Sequence, residues 1–241
     1  FFEGHKHFIW KKDGLYQTYT IMVYISEYYK SIFAHLLHGQ FTWKMFDFNI
    51  GMGNDVFTTL NYYGFLGDPL LLFSTFFNKT NMYVCYDMLF VLRLFLAGLF
   101  FILYCKKMGK GNIQAVLGAL IYAFCGYAIA AGERHPYFLN AMIYLPLLLI
   151  GVETILKKKK SYLFTIMIFI SFVSNFYFFY MLTIIVFIYA LIRFVDIYRK
   201  EWVHHIFSVL FRGIIQYALG VALASIALFP IVDAYKNNSR G

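Results

Sequence analysis

The nine-residue stretch GERHPYFLN, from Gly132 to Asn140, places ionisable side chains between two strongly apolar segments. Arg134 could hold a phosphate group through paired hydrogen bonds, and a neutral His135 could carry a proton. The alternative is an interfacial anchor whose charged residues, with Glu133 among them, contact lipid headgroups. Asn140, at the end of the stretch, joins these three as a candidate substrate-binding residue. The residues alone leave both interpretations open.

Two further charges, Asp87 and Arg93, lie inside a long apolar segment. A charge at membrane depth is costly and usually faces a cavity or a partner. Six residues correspond to about 600° of helical rotation, so the two side chains are not expected to pair with each other. Asp87 is near the end of the segment, where water reaches it. Arg93 is deeper and is a candidate substrate-binding residue, with a structural salt bridge between helices as the alternative.

Seven carboxylates are predicted to lie on one side of the membrane, where they could bind a divalent cation or act as a base. None has a diagnostic spacing, and an exposed, solvated acid is the simpler interpretation of any one of them. They are Asp13, Glu27, Asp47, Asp55, Asp68, Glu133 and Asp233. The chain has no Walker loop, dinucleotide glycine pattern, HExxH, GxSxG or CxxC motif, so the familiar soluble-enzyme chemistries have no support.

The composition indicates a protein embedded in lipid. Hydrophobic residues make up 61% of the 241 residues and charged residues 14%, whereas soluble domains have about a quarter charged residues. The net charge of +9 does not indicate nucleic acid, because excess Lys and Arg in a membrane protein marks its cytoplasmic loops. The three cysteines lie in apolar runs and are expected to be structural thiols.

Apolar stretches of about 20 residues predict membrane-spanning helices, and the fold class is all-α polytopic with about six of them. A tight hairpin at Ser174–Asn175 is predicted to separate the fourth span, which is the shortest, from the fifth. The predicted spans are Met82–Cys105, Ile113–Ala131, Tyr137–Leu156, Ser161–Ser174, Phe176–Phe194 and Ile206–Ile231.

The loops between the spans alternate in basic content. Lys106–Lys110, Lys157–Lys160 and Arg193–Lys200 hold the Lys and Arg, so their side is predicted to be cytoplasmic. The segment 1–81 is then extracytoplasmic, and the membrane bundle comprises 82–241. Both ends of the chain look cut, so a fragment of a longer protein is expected.

The outer segment has three parts. Leu15–Gly39 predicts an amphipathic helix that is too polar to cross the membrane. FDFNIGMGNDVF predicts an irregular loop around Gly51 and Gly53. FLGDPLLLFSTFF, broken by Asp68 and Pro69, predicts a short re-entrant or interfacial segment.

Several motifs in order resemble the N-terminal part of the YfhO-type bacterial membrane proteins, from about Asp13 to Phe194. They are DGLYQTYTIMVYISEYYKSIFAHLLHG, FDFNIGMGND, LAGLFFILYCKKMG, ALIYAFCGY, HPYFLNAMIYLPLLLIGVE and SNFYFFYMLTIIVFIY. The family resembles the polytopic GT-C glycosyltransferases, which take a sugar from a polyprenyl-phosphate donor at the outer membrane face. Members are longer than this chain and have an outer C-terminal region.

The resemblance implies a site as well as a fold. GT-C enzymes carry an acidic residue after their first span, and Asp13 in KKDGLYQ matches it, as a base or as a ligand of a divalent cation such as Mg²⁺ or Mn²⁺. Arg134 and His135 would lie where the donor phosphate binds. The implied acceptor is a cell-envelope polymer such as lipoteichoic acid, and the implied location is the bacterial cytoplasmic membrane. We expect Asp13, Arg134 and His135 to converge on one cavity.

Two other functions compete with the glycosyltransferase hypothesis. A transporter or flippase for a lipid-linked or amphiphilic substrate would use Arg93 and Asp87 inside the bundle and would leave the outer acids idle. A non-catalytic partner of another membrane enzyme is the third possibility. The long, aromatic, acid-bearing segment before the first visible span favours the enzyme.

Overall fold

The computed structural model describes residues 7–40, 44–56, 59–60, 66–199, 202–225 and 228–229. The predicted acid Asp233 and the end of the sixth predicted span lie outside these residues. The first described element is a π-helical turn, Gly14–Tyr19, which continues directly into helix α1 (Thr20–Leu37). A helix therefore covers most of the predicted Leu15–Gly39 segment.

A small hairpin follows α1 where an irregular loop was predicted. Strands β1 (Phe46–Asp47) and β2 (Asn54–Asp55) pair antiparallel. The chain turns back through Gly51, Met52 and Gly53, whose φ angles of 54°, 68° and 116° lie in the region that favours glycine. The prediction of an irregular loop was incomplete, because the residues on either side of the glycines pair as two short strands.

The apolar FLGDPLLLFSTFF run forms a 3-10 helix, Pro69–Phe76, capped by the Asp68 carboxylate, which accepts a hydrogen bond from the Leu70 N–H. This helix packs between α1 and the bundle. The Ser26 hydroxyl of α1 donates to the Ser74 carbonyl at 2.8 Å. On the other side Gly67 packs against the Val173 backbone so closely that a Cβ would lie 2.0 Å from its carbonyl oxygen.

In the part of the chain that the structure describes, seven further helices form the bundle. They are α2 (Met82–Lys107), α3 (Asn112–Ala123), α4 (Gly126–Arg134), α5 (Asn140–Leu156), α6 (Tyr162–Ser174), α7 (Phe176–Ile197) and α8 (Trp202–Leu223). Short 3-10 turns, Lys79–Asn81 and Pro136–Leu139, precede α2 and α5. The all-α polytopic class is confirmed.

Within the described residues, length and apolar character make four helices candidates for membrane spans, with a fifth if α3 and α4 form one span bent by 42°. The four are Lys79–Lys107, Pro136–Leu156, Phe176–Ile197 and Val203–Leu223. The remaining predicted span is α6, whose 13 residues extend only about 20 Å, short of the roughly 30 Å hydrocarbon core. The predicted hairpin is present, because α6 ends at Ser174 and Asn175 caps α7 through the Phe178 N–H at 3.0 Å.

The lysine-rich loops meet at one end of the bundle, as the alternation of basic loops predicted. Tyr189 of α7 donates to Glu153 Oε1 at 2.7 Å and lies 3.8 Å from the sulfur of Met108, in the first of these loops. Arg193 binds the same buried Glu153 at 2.6 Å and 3.2 Å. Glu153 is four residues from Lys157, so the second lysine loop lies at this end too.

Two hydrophobic clusters organise the chain. One joins α1 to the 3-10 helix and to the first turns of α2, through residues such as Ile25, Leu71 and Met82. The other is the core of the bundle, centred on α5 and α6, with Leu148 and Ile168 almost fully buried. The first cluster holds the outer segment against the bundle end opposite the lysine loops.

Candidate functional site

The chain brings together Trp10, Asp13, Thr18, Arg134 and His135, a group that we call the mouth cluster. Its first three residues surround the start of the π-helical turn, which begins directly after Asp13. Its last two lie where α4 ends. The sequence separation between the two halves exceeds 100 residues, and the two segments lie close together. Convergence of Asp13, Arg134 and His135 on one cavity stays a prediction.

Gly14 lies where the two halves of the mouth cluster come together. A Cβ at this position would lie 2.8 Å from the Trp10 Cβ and 3.6 Å from the Arg134 carbonyl oxygen. Contacts under about 3 Å force something to move, so a side chain here would displace Trp10, whereas the approach to Arg134 would remain an ordinary van der Waals contact. The sequence gives this glycine in KKDGLYQ without indicating what it approaches.

The Arg134 guanidinium lies over the Trp10 ring at 5.6 Å from the ring centre. A cation over an aromatic face is attracted by the ring quadrupole, which holds the side chain at the surface. Asp13, Glu133 and Arg134 are all exposed. The charged groups of the mouth cluster therefore remain available to a ligand.

His135 is partly buried, and its Nδ1 forms a hydrogen bond of 3.1 Å with the Thr18 hydroxyl. Burial lowers the pKa of the imidazole; the nearby Asp13 carboxylate opposes that effect and the Arg134 charge adds to it. The neutral form is thus favoured near pH 7, which suits a group that accepts or relays a proton.

A long apolar groove of about 790 Å³ runs beside the mouth cluster. Its lining on α2 extends from Phe90 to Ile102, about 18 Å along the helix. The other wall is formed by residues of α3 and α4 on both sides of the break between these helices. Near the mouth cluster its lining includes Phe8 and the carboxylate-bearing Glu133, its one charged residue. Hydrocarbon fits such a lining, and the charged end lies beside Arg134.

Arg93 lies below the mouth cluster in a buried polar network. Its Nη2 binds Asp68 at 2.6 Å and its Nε donates to Asn140 at 2.9 Å. The Asn140 amide reaches Ser174 at 3.4 Å, and Tyr144 donates to the same hydroxyl at 3.1 Å. The salt bridge that was the alternative for Arg93 is present. Substrate binding by Arg93 and Asn140 stays a prediction.

Asp87 does not pair with Arg93, as the spacing indicated. It accepts hydrogen bonds from the His7 ring at 2.7 Å and from the Phe8 N–H at 2.9 Å. These contacts hold the first described residues against α2 and so place Phe8 on the groove. The sequence analysis named Asp68 among seven acids but did not predict that it binds Arg93, although its position within an apolar run indicated a buried partner. No feature of the sequence indicated that Thr18 belongs to the site.

The described part of the chain contains no group of three His, Cys, Asp or Glu side chains that could hold a metal ion. Within the described residues Asp13 therefore does not belong to a set of ligands of the kind that Mg²⁺ or Mn²⁺ requires, and a divalent cation at Asp13 stays a prediction.

Buried ion pairs, apolar helices long enough to span a bilayer and a charged mouth beside a hydrocarbon groove define a multi-pass membrane protein. The family model described as "Bacterial membrane protein YfhO" matches residues 1–241, and the chain belongs to this family.

A curated relative is the "Uncharacterized protein YfhO" of Bacillus subtilis (strain 168), which is 24% identical over 232 residues. The match includes 88% of this chain and 25% of the relative, so the chain spans about a quarter of that protein's length. No solved structure matches the chain.

Proposed function

We propose that this protein transfers a sugar from a polyprenyl-phosphate donor to a cell-envelope polymer such as lipoteichoic acid, at the outer face of the bacterial cytoplasmic membrane. The observation that carries the proposal is the position of the mouth cluster at the end of the apolar groove. A lipid-linked sugar has the same polarity, with a long hydrocarbon chain, a phosphate and a polar sugar in series.

Each part of the site has a distinct chemical role in this reaction. The polyprenyl chain lies in the groove, and Arg134 binds the phosphate, for which a guanidinium is suited. Asp13 takes the proton from an acceptor hydroxyl, whose oxygen attacks the anomeric carbon. The bond from that carbon to the phosphate oxygen breaks, and the polyprenyl phosphate leaves with its charge stabilised by Arg134.

Neutral His135 has a supporting role in this scheme. It lies beside Asp13 and is bonded to Thr18, so it can orient the carboxylate or pass a proton to water. Glu133 lines the groove and stays a candidate substrate-binding residue.

The transporter alternative has less support. It requires Arg93 and Asp87 to meet a substrate inside the bundle, but Arg93 is bound to Asp68 and Asn140, and Asp87 to His7. Both would have to exchange these partners during transport, whereas the mouth cluster is exposed as it stands.

The test is transfer of radiolabelled sugar from a polyprenyl-phosphate donor to lipoteichoic acid, in membranes containing the protein. Asp13→Asn should abolish transfer without changing the amount of protein, and Arg134→Ala should chiefly raise the KM for the donor. The matched controls are Asp196→Asn and Arg199→Ala, both exposed at the lysine-rich end. Full activity in Asp13→Asn would defeat the proposal.

A further inference from the structure

A small polar pocket lies beneath the mouth cluster, between the π-helical turn, α2 and the 3-10 turn that begins at Pro136. Its volume is about 10 Å³, roughly the space for a single water-sized oxygen. The lining includes the polar side chains of Thr18, Tyr86, Arg93 and Tyr137. The remaining wall is apolar.

Tyr86 is the unusual member of this lining. It is 2% exposed, and among the described residues its hydroxyl is the one buried side-chain polar atom without a hydrogen-bond partner. A buried hydroxyl left unpaired is costly, and such groups are normally satisfied by protein or by an ordered molecule. The unpaired Tyr86 hydroxyl therefore indicates that another molecule occupies the pocket and forms a hydrogen bond with it.

The lining also indicates what the occupant is. The Arg93 charge is balanced by Asp68 at 2.6 Å, so an anion gains little here. The Tyr86 and Thr18 hydroxyls can each donate or accept, and Arg93 can donate. These groups suit an uncharged oxygen that both gives and receives hydrogen bonds.

The pocket is adjacent to the proposed reaction centre. A Cβ on Gly14 would lie 3.6 Å from the Tyr86 hydroxyl and 3.6 Å from the Arg134 carbonyl oxygen, and Asp13 is the preceding residue. Thr18 belongs to both places, because it lines the pocket and its hydroxyl is bonded to His135. A sugar held at the mouth cluster can thus extend one hydroxyl group into the pocket.

We propose that Tyr86, Thr18 and Arg93 form a specificity subsite that receives one hydroxyl group of the donor sugar, with a water molecule in its place when no substrate is bound. This inference rests on the proposed function, and it adds Tyr86 as a substrate-contacting residue. Binding sites built around a substrate hydroxyl reject analogues that lack it, because their own polar groups are then left unpaired.

The experiment compares Tyr86→Phe with Tyr122→Phe, since Tyr122 is a second tyrosine of the bundle whose hydroxyl is bonded, to the Met142 carbonyl at 2.9 Å. Tyr86→Phe removes a hydroxyl without a protein partner and should leave the Tm unchanged or raised. Tyr122→Phe leaves a carbonyl unpaired and should lower the Tm.

Binding is then measured for two probes, a polyprenyl-phosphate sugar and the same polyprenyl phosphate without sugar. Wild type should bind the sugar-bearing lipid more tightly than the sugar-free lipid. Tyr86→Phe should reduce that preference about tenfold, the effect of one hydrogen-bonded hydroxyl, and Tyr122→Phe should keep it. An unchanged preference in Tyr86→Phe, or no preference in wild type, overturns the subsite while leaving the transferase proposal intact. Failure of wild type to bind either lipid overturns both proposals.

A high-resolution structure of the unliganded protein gives a separate check. Density for one oxygen within about 3.2 Å of the Tyr86 hydroxyl supports the subsite. A protein group bonded to that hydroxyl, with no oxygen in the pocket, overturns it.

Discussion

Replacing Arg93 with methionine should destabilise the protein more than any substitution at an exposed charge. Methionine keeps much of the side-chain volume but removes the positive charge from Asp68, whose side chain is 0% exposed. Removing one partner of a buried pair costs about 3–5 kcal/mol, because the other charge stays buried without compensation. For a chain of this size each kcal/mol lowers the Tm by about 2–4 °C, so the expected decrease is about 6–20 °C.

The double variant Arg93→Met, Asp68→Asn separates charge from packing. Asparagine keeps an oxygen that can cap the Leu70 N–H, and no buried charge remains. Replacing both partners of a buried pair is often nearly neutral, so the double variant should recover at least half of the lost stability. Arg199→Met, at an exposed position, is the control and should change stability by less than about 0.5 kcal/mol.

The assay is thermal unfolding of the purified protein in detergent, with wild type, Arg93→Met, Asp68→Asn, the double variant and Arg199→Met in parallel. An Arg93→Met protein that unfolds within about 2 °C of wild type would refute the reasoning. So would a double variant that loses the sum of the two single losses, because uncoupled losses mean that the residues do not interact. A stable double variant also allows donor binding to be measured without Arg93, which tests its predicted substrate role directly.

Three further predictions concern the two ends of the bundle. Glu153→Ala should lower the free energy of unfolding by about 3 kcal/mol, measured by thermal unfolding, because buried Glu153 binds Arg193 and Tyr189. Asp196→Ala, which removes an exposed ion pair, should lower it by less than about 1 kcal/mol. Gly14→Ala should weaken donor binding and lower the free energy of unfolding by about 1–3 kcal/mol, because the added Cβ would lie 2.8 Å from Trp10. Gly126→Ala, with open space around it, should be neutral or stabilising. Equal effects of the two substitutions would contradict the close contact at Gly14. Because the pKa of His135 is lowered from 6.5, the unfolded chain binds more protons, so stability should fall as the pH drops from 6.5 through the folded-state pKa. His135→Gln should flatten that part of a Tm-versus-pH curve, the exposed His38→Gln should not, and an unchanged curve in His135→Gln would contradict the assignment.

Local properties of the sequence determined much of the architecture. Apolar length alone predicted the helices α2, α5 and α7, and the polar break at Ser174–Asn175 predicted the turn before α7. The alternation of lysine-rich loops predicted that Lys106–Lys110 and Lys157–Lys160 share one end. Each of these signals depends on residues close together in the chain, through helix geometry and the cost of placing charge in lipid.

Length also limited what the sequence could decide. Apolar character could not distinguish a full span from α6, whose 13 helical residues are too few to cross. The hairpin of β1 and β2 was invisible because two-residue strands carry no periodicity.

The candidate site depends both on residue chemistry, which the sequence shows, and on tertiary packing, which it does not. The sequence identified Asp13, Arg134 and His135 as charged groups of suitable chemistry at one membrane boundary, but depth alone does not give lateral position. Tertiary packing decided that Gly14 lies against the end of α4, that Arg93 is bound to Asp68, and that Tyr86 has a hydroxyl without a described partner. These facts depend on side chains from distant segments meeting in three dimensions, and no local pattern encodes which pairs will meet.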